Sequence, residues 1–544
     1  MAGYGRGTSG IDRCTAFFLI FAASLEAIKI PLYGLIGAQG VSFAAPALDL
    51  LAVFITVYVL GGYFTVRHLI RYRIRRKKYS SIRVIYETAF MPSLTGGIVL
   101  AVICASLSKY ISGIAGADLN GSLVYCALSL SVVFLSVVGI ICGYIESLTN
   151  DMPTVITSCI WSVLSIVLGL IGATSAYRYG CKVAALLRND NIAYIYGAAG
   201  LMCGMAVSCL VVLVLWLLIY HSINHTINDW LNEQSDYRSE KESRKNIRLS
   251  VFSVFIVFLF AALFFTMPHM LDRRLSFTFS EISDHEIRSL WAVADSKVFA
   301  LIYVISFLLV IPFTAYKAPL ASLLIRRDRD AFSSRFGMIM RIANYLLLPV
   351  SFFCIAAAKV ITALGFGIDD AAAQSVMQLS GMTVLFLSLS IILILIYAAA
   401  DDMKTVLEST LFSCAVQTIL FVTLISIVHL SPEKAGAIAL LVFYIINTVF
   451  LLVMKNYYTL HRNRWIANTI VNALCAVIAA IPVFLLQTVL FDRIGSLASL
   501  IILIIIYYVI YIILTLFLRV ADLNNIDRLP GGRIIVTLAD LFNL

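Results

Sequence analysis

Uncharged apolar runs recur along the whole chain, among them Leu210 to Tyr220 and Leu500 to Phe517. Between them the charges are crowded together, with eight Lys or Arg from Arg67 to Arg83. A helix needs about 20 apolar residues to cross a bilayer, so uncharged runs bounded by charged clusters predict transmembrane helices. Strands of a membrane barrel would alternate in polarity over about 10 residues, and no such alternation occurs. Only 13% of the 544 residues are charged and 61% are hydrophobic, against about 25% charged in soluble domains. Too few charges are present to cover a soluble protein of this size, so lipid is the expected solvent. The fold class that follows is an all-α polytopic membrane protein.

Apolar runs lie at roughly 14–36, 42–66, 86–108, 123–145, 154–177, 193–219, 249–270 and 295–316. Further runs lie at roughly 338–358, 375–398, 404–428, 435–454, 466–488 and 496–518, which makes about 14 transmembrane helices. Gly37-Ala38-Gln39-Gly40 separates the first two and predicts a tight reversal. The first run follows Arg6, Asp12 and Arg13, outlasts a signal core and has no small-x-small exit, so it reads as an uncleaved span. The eleven cysteines lie mostly inside apolar runs, with Cys181 in a loop, and form no CxxC pair.

Placing the N-terminus inside puts Arg67 to Arg83 on the inner side, then Arg238, Lys241, Arg244, Lys245 and Arg248. Lys317, Arg326, Arg327, Arg329, Arg335 and Arg341 follow on that side, then Lys455, Arg462 and Arg464, and Arg519, Arg528 and Arg533. This bias obeys the positive-inside rule and predicts a multi-pass protein of the cell membrane with both termini cytoplasmic. The net charge of +10 then faces anionic lipid, and no nucleic-acid partner is expected.

Two segments recur at nearly one offset. Ser108-Lys109-Tyr110-Ile111-Ser112 ends the third span and Ala358-Lys359-Val360-Ile361-Thr362 ends the ninth. Asp151-Met152-Pro153-Thr154-Val155 opens the fifth span and Asp402-Met403-Lys404-Thr405-Val406 the eleventh. The pattern predicts two pseudo-symmetric six-helix lobes, 1–220 and 249–455, joined by a cytoplasmic loop at 221–248. Spans 13 and 14 and a tail, 456–544, are appended. Repeated lobes of equal orientation are the architecture of alternating-access transporters.

Lys29-Ile30-Pro31-Leu32 followed by Gly37-Ala38-Gln39-Gly40-Val41 resembles the first-span exit of SpoVB-like polysaccharide transporters. These belong to the multidrug/oligosaccharidyl-lipid/polysaccharide (MOP) exporter superfamily. Gly143-Tyr144 with Asn150-Asp151-Met152-Pro153-Thr154-Val155-Ile156 is similar to that family's junction between spans four and five. Ile311-Pro312, a basic segment through Arg341, and Leu348-Pro349 resemble the start of its second lobe. Departures occur at Ser42-Phe43-Ala44, where relatives often have a Gly-Leu-Tyr-type run, and at Ile145-Glu146-Ser147, where they often carry glutamine. The resemblance implies a flippase that moves an isoprenoid-linked oligosaccharide or peptidoglycan precursor from inner to outer leaflet, in a bacterial plasma membrane. It also implies membrane lipids and cell-envelope biosynthesis enzymes as partners.

A charge at the bilayer centre costs about 2.5–3.5 kcal/mol on insertion scales, so intramembrane charges are the residues to explain. Glu26 and Lys29 share a helix face and can pair; they either contact a substrate pyrophosphate and a coupling proton, or snorkel together to the interface. Asp49 either faces Lys29 in a structural salt bridge or lines the cavity. Asp295 and Lys297 open the eighth span as loop-end charges, and Arg13 sits at the inner mouth of the first span as an anchor or a headgroup contact. Gln378, Gln417, Asn344 and Asn447 either line the cavity or hydrogen-bond between helices, and Pro31, Pro46, Pro312 and Pro349 can kink their spans.

His221 and His225 lack the further ligands and the glutamate of a zinc motif, and no P-loop occurs, so neither a metal nor another cofactor is expected. H⁺ or Na⁺ remains open as a coupling ion. The main alternative function is a cation-coupled multidrug exporter of the same superfamily, with Glu26 and Asp49 binding the cation. A membrane glycosyltransferase or polymerase using Asp272, Asp284 and His285, and a non-transporting scaffold, are lesser alternatives.

Overall fold

The computed structural model describes residues 12–115, 121–235, 243–364, 370–453 and 462–518. Helices α1 (Arg13–Ala27), α2 (Lys29–Phe54), α3 (Gly62–Arg75), α4 (Ser80–Ser106), α5 (Ser108–Ile114) and α6 (Ser122–Leu148) come first. A π-helical turn, Ile55–Gly61, joins α2 to α3. Next are α7 (Met152–Leu187), α8 (Asn191–Ser235), α9 (Arg244–Thr266), α10 (Pro268–Phe279) and α11 (Asp284–Ala294). A second π turn, Asp295–Phe299, leads to α12 (Ala300–Val310), and a 3₁₀ segment, Ile311–Tyr316, to α13 (Lys317–Arg326). The last helices are α14 (Arg329–Ala356), α15 (Ala358–Thr362), α16 (Ala371–Ser380), α17 (Thr383–Ala399), α18 (Met403–Ser426), α19 (Pro432–Val453), α20 (Arg462–Ile494) and α21 (Ser496–Phe517). No strand occurs among the described residues, and the chain is an all-α polytopic membrane protein.

Among the described residues, twelve helical stretches are long and apolar enough to cross a membrane, and thirteen when the bent pair α16–α17 counts as one span. The first stretch, Arg13–Arg75, has 63 residues and would reach about 95 Å if straight, three times a hydrocarbon core of about 30 Å. It is not straight. Gly37, at φ 69° and ψ 175°, breaks it, in a backbone region that only glycine enters at low cost. Lys29 and Asp49 then meet at 2.6 Å, although 20 residues of straight helix would hold them about 30 Å apart. The stretch is therefore two crossings with the reversal where the sequence predicts it, and the fourteen expected spans are accounted for.

The segments that recur in the sequence share backbone features. α4 breaks into α5 at Leu107 (φ −95°, ψ 15°), and α14 breaks into α15 at Ala357 (φ −98°, ψ 21°). α7 starts at Met152 after Asp151, and α18 at Met403 after Asp402. The second and eighth spans each carry a π turn, at Ile55–Gly61 and Asp295–Phe299. Grouped by contacts, the chain divides differently. Ile20–Ser296 make one compact unit, and the described residues of Met1–Leu19 and Lys297–Leu544 make the other. In the first unit α9 packs on α3 and α4, and α11 on α2, so the seventh span and the start of the eighth join the helices that precede the 221–248 segment.

Several local expectations are corrected. α8 runs through His221 and His225 to Ser235, and α7 carries Cys181 on an exposed turn, so neither segment is a loop. His225 pairs with Asp229 one turn on, at 2.8 Å. The eighth span begins at Asp284, where Ser283 caps α11 by accepting from the Glu286 amide; this is the Ser-x-x-Glu pattern of a helix start. Asp295 and Lys297 thus lie inside a helix and are 2% exposed, not solvated loop-end charges. Pro46 and Pro349 lie within α2 and α14, Pro31 in the first turn of α2, and Pro312 in the 3₁₀ segment. Arg238, Lys241, Lys455, Arg519, Arg528 and Arg533 lie outside the described residues, as does the tail from 519.

Packing in the first unit relies on glycine, as expected where lipid leaves helices no hydrophobic drive to associate. A methyl group on Gly200 of α8 would stand 2.3 Å from the Gly172 carbonyl oxygen of α7, and one on Gly204 2.2 Å from that of Leu168. Gly200→Leu should force α7 and α8 apart at a cost of about 1–3 kcal/mol or more. Gly337→Ala, with open space around the added carbon, should be near neutral. Thermal unfolding in detergent checks both; an unshifted midpoint for Gly200→Leu would refute the close approach.

Candidate functional site

Four of the charges singled out in the sequence meet inside the Ile20–Ser296 unit. Lys29 Nζ donates to Glu26 at 2.8 Å, one turn back, and to Asp49 Oδ1 at 2.6 Å across the Gly37 reversal. The other Asp49 oxygen accepts from Arg273 Nη2 at 2.8 Å, and the same nitrogen donates to Asp295 Oδ2 at 2.5 Å. His269 Nε2 lies 2.7 Å from Asp295 Oδ1. A carboxylate accepts only, so Nε2 carries the proton and donates. The order is Glu26–Lys29–Asp49–Arg273–Asp295–His269, with charges alternating along its length.

Local structure puts each group in place. Glu26 and Lys29 are three residues apart on neighbouring turns at the α1–α2 junction, and Asp49 lies on the returning limb of α2. His269 and Arg273 are four apart on one face of α10, which follows Pro268 at its first position. That face also buries Asp272 and Ser276. Trp291 of α11 closes over it, donating to Ser276 Oγ at 3.1 Å, with its ring 5.9 Å from the Arg273 guanidinium. Lys29, Arg273, Asp295 and His269 are all buried, and Glu26 and Asp49 keep 14% and 10% of their side chains exposed. A Lys29 snorkelling to the interface is therefore excluded by its burial and double pairing.

The remaining candidates lie elsewhere. Lys297 is buried in the other unit and pairs with Asp370 at 3.1 Å; Asp370 also caps α16 by accepting from the Ala372 and Ala373 amides. Arg13 is exposed at the start of α1. Asn344 donates to Thr469 of α20 at 2.6 Å, and Asn447 accepts from Ser409 of α18, so both link helices. Asp272 is a buried helical residue and not a loop carboxylate. Arg273 is not evident from the sequence because 271–294 reads as a loop between spans, and His269 because it falls at the very end of the 249–270 run. Their signal is the spacing of His269, Asp272, Arg273 and Ser276, a single helical stripe.

A second polar knot lies beyond the first π turn, on α3, α6 and α7. Glu146 of α6, 4% exposed, accepts from Tyr63 at 2.8 Å and from Thr154 at 3.1 Å, and pairs with Arg67 at 3.0 Å. Gly143, one turn earlier, lies against the Tyr63 backbone. The Ile145-Glu146-Ser147 departure noted in the sequence thus builds a joint between α3, α6 and the start of α7.

No protein-family model matches the chain, and no curated protein matches it. Solved structures are similar in fold. An inward-facing multidrug resistance MATE family transporter of the MOP superfamily aligns with a TM-score of 0.59 at 14% identity, over 85% of this chain and 96% of that one. The lipid II flippase MurJ, in an inward closed conformation, aligns at 0.57 and 13%, over 93% of this chain and 98% of that one. A MATE in complex with MaL6 aligns at 0.55 and 14%, over 84% and 97%. At these identities the likeness is one of fold, and the all-α polytopic fold expected from the sequence is the one these structures share with the chain.

The cluster's members are mutually dependent, because each buried charge is compensated by its neighbours. Asp49→Ala should leave Lys29 and Arg273 short of a counter-charge and destabilise the protein by about 3–5 kcal/mol. Glu87→Gln, which breaks an exposed pair with Arg83, should cost at most about 1 kcal/mol. Denaturation in detergent compares them. Equal losses would mean that the cluster is solvated and its pairs are independent.

Proposed function

We propose that this chain is a flippase that carries an isoprenoid-linked, pyrophosphate-bearing sugar from the inner to the outer leaflet by alternating access. The observation that carries this reading is the buried cluster, in which two cations, Lys29 and Arg273, are held by three carboxylates amid apolar helices. A pyrophosphate is the kind of group that can replace those carboxylates on both cations at once, since guanidinium and phosphate match in geometry as well as charge. Glu26, at the exposed end of the cluster, is the carboxylate best placed to take up a coupling proton or Na⁺ when Lys29 turns to substrate.

The fold supports a transporter in general, being that of a MATE family transporter and of a lipid II flippase. The flippase reading gains from coverage, since that structure aligns over 93% of this chain and the multidrug transporter over 85%. A cation-coupled drug exporter is the second reading. It is favoured by the three carboxylates, Glu26, Asp49 and Asp295, which outnumber the two permanently charged cations. On either reading the protein sits in the bacterial plasma membrane with both ends cytoplasmic; on the flippase reading, cell-envelope biosynthesis enzymes would supply and consume the lipid-linked sugar.

A leaflet-accessibility assay with undecaprenyl-linked sugar separates the readings. Lys29→Ala and Arg273→Ala should lower flipping at least about tenfold, the loss of one charge-assisted contact, in protein that still inserts and purifies. Lys29→Arg should retain most activity. Unchanged flipping in both alanine variants would sink the assignment. Intact drug efflux with no flipping in the parent would establish the exporter instead.

A further inference from the structure

The Ile20–Ser296 unit contains an apolar groove of about 640 Å³ that the ionic cluster does not use. Its walls are the α2–π turn–α3 limb, α4 and α9, lined by Val53, Phe54, Val57 and Tyr58, by Pro92 and Leu100, and by Phe252, Phe255 and Leu259. The volume falls within the range of pockets that hold a small molecule. Phe252 on its wall is 64% exposed, and hardly any of α9 is buried.

The groove has a polar end and an apolar end. α6 runs alongside α2–α3, with Gly139 against Val59 and Gly143 against Tyr63. α4 runs the opposite way, since its Ser93 donates to the Ser136 carbonyl of α6 and its Gly97, one turn on, lies against the Val132 carbonyl, one turn back. Thr65 and Thr88 therefore lie at one end of the groove, and Val53 and Leu100 at the other. Tyr79, between α3 and α4, meets Trp230 on α8 with ring centroids 5.5 Å apart, which puts the last turns of α8 at the Thr65 end. α9 then enters at that end with Arg244, Lys245 and Arg248, and Arg248 lines the groove. From Arg248 the α9 wall is apolar as far as Leu263.

One buried group at the polar end has an unused hydrogen bond. Thr65 Oγ1, on a residue 2% exposed, has no partner among the described residues. Most helical threonines in this unit bond back to their own helix, as Thr56, Thr88 and Thr95 do. Arg248 makes no ion pair among the described residues. A hydroxyl and a guanidinium that have no partner among the described residues, at the mouth of a long apolar slot, fit a molecule with one anionic, oxygen-rich end and a long hydrocarbon end.

We propose that this groove holds one anionic phospholipid of the surrounding bilayer, its phosphate on Arg248, its ester region near Thr65 and an acyl chain along α4 and α9. The polarity of the groove selects this occupant over the tail of a lipid-linked sugar. Asp49 lies one turn beyond Val53, at the apolar end, so a substrate with its pyrophosphate at the Lys29–Arg273 cluster would run its tail toward Arg248 and leave that charge unmet.

The test uses the full chain in phosphatidylcholine vesicles with brominated phosphatidylglycerol or brominated phosphatidylcholine as probes. Phe252→Trp supplies a fluorophore on the groove wall, read as quenching gained over the parent. Brominated phosphatidylglycerol should bind roughly fivefold more tightly, the effect of one basic residue near the surface. Arg248→Gln should remove the preference and Arg248→Lys keep it. Gly96→Leu, which fills open space in the groove, should reduce quenching by both lipids. Equal quenching in the Phe252→Trp protein, a preference that survives Arg248→Gln, or quenching by a brominated isoprenyl phosphate in preference to the phospholipid would each overturn the proposal.

Discussion

Asp49 is the carboxylate on which the arrangement of the Ile20–Ser296 unit turns. One of its oxygens holds Lys29 and the other Arg273, at 2.6 and 2.8 Å, so a single residue on α2 ties the α1–α2 junction to α10. Without it Lys29 would keep only Glu26 and Arg273 only Asp295, and a buried charge recovers its desolvation only through close partners of opposite sign. The geometry in turn requires the reversal at Gly37, since without a residue free to adopt positive φ the two limbs of the first 63-residue stretch could not bring Lys29 and Asp49 together. α10 is polar for the same reason. A helix carrying His269, Asp272, Arg273 and Ser276 on one stripe is stable here because that stripe is turned toward the charges of α2 and the second π turn.

This interaction is also the natural place for a switch. Each cation in the cluster is shared between two carboxylates, so each has an alternative partner at hand when one is withdrawn. On the proposed function, an incoming pyrophosphate competes with Asp49 for both Lys29 and Arg273, and the helices that Asp49 joins are released to move. A ligand shifts such an equilibrium only through its differential affinity for the two states. Here the difference is whether the two cations are neutralised by the protein or by the substrate. A drug exporter built on the same cluster would work the other way, through cations or protons that compete with Lys29 and Arg273 for the carboxylates.

Much of this was legible in the sequence, and what was not has a physical cause. The spans, the Gly37 turn and the repeat follow from period, length and the special backbone of glycine, which are local properties. The Glu26–Lys29 pair follows from i,i+3 spacing, and the meeting of Lys29 with Asp49 from equal depth on either side of a turn. Arg273 and His269 were hidden because a polar stripe that faces other charges looks the same in sequence as one that faces water. Asp295 and Lys297 read as loop-end charges because the apolar run starts at 295, whereas the helix starts eleven residues earlier at a Ser-x-x-Glu cap. Hydrophobicity marks where lipid begins, and capping marks where the helix begins.

The two π turns make the same point about charges in a bilayer. A π turn adds a residue to one turn of helix and so rotates everything after it relative to what came before. In the second span, Asp49 lies before the Ile55–Gly61 turn and faces Lys29 and Arg273, while Tyr63 and Arg67 lie after it and face Glu146 of α6. In the eighth span, Asp295 and Lys297 lie within one such turn and belong to different units, the first held by Arg273 and the second by Asp370. An unbroken α-helix would fix the angle between successive polar groups at about 100° per residue, whatever their partners required. Because an unpaired charge costs more in lipid than a local irregularity in hydrogen bonding, the backbone yields where the charges must be met. The irregular turns and the intramembrane charges are therefore one feature, and in both spans the departure from α geometry marks the stretch of sequence where charge has to be placed against a partner.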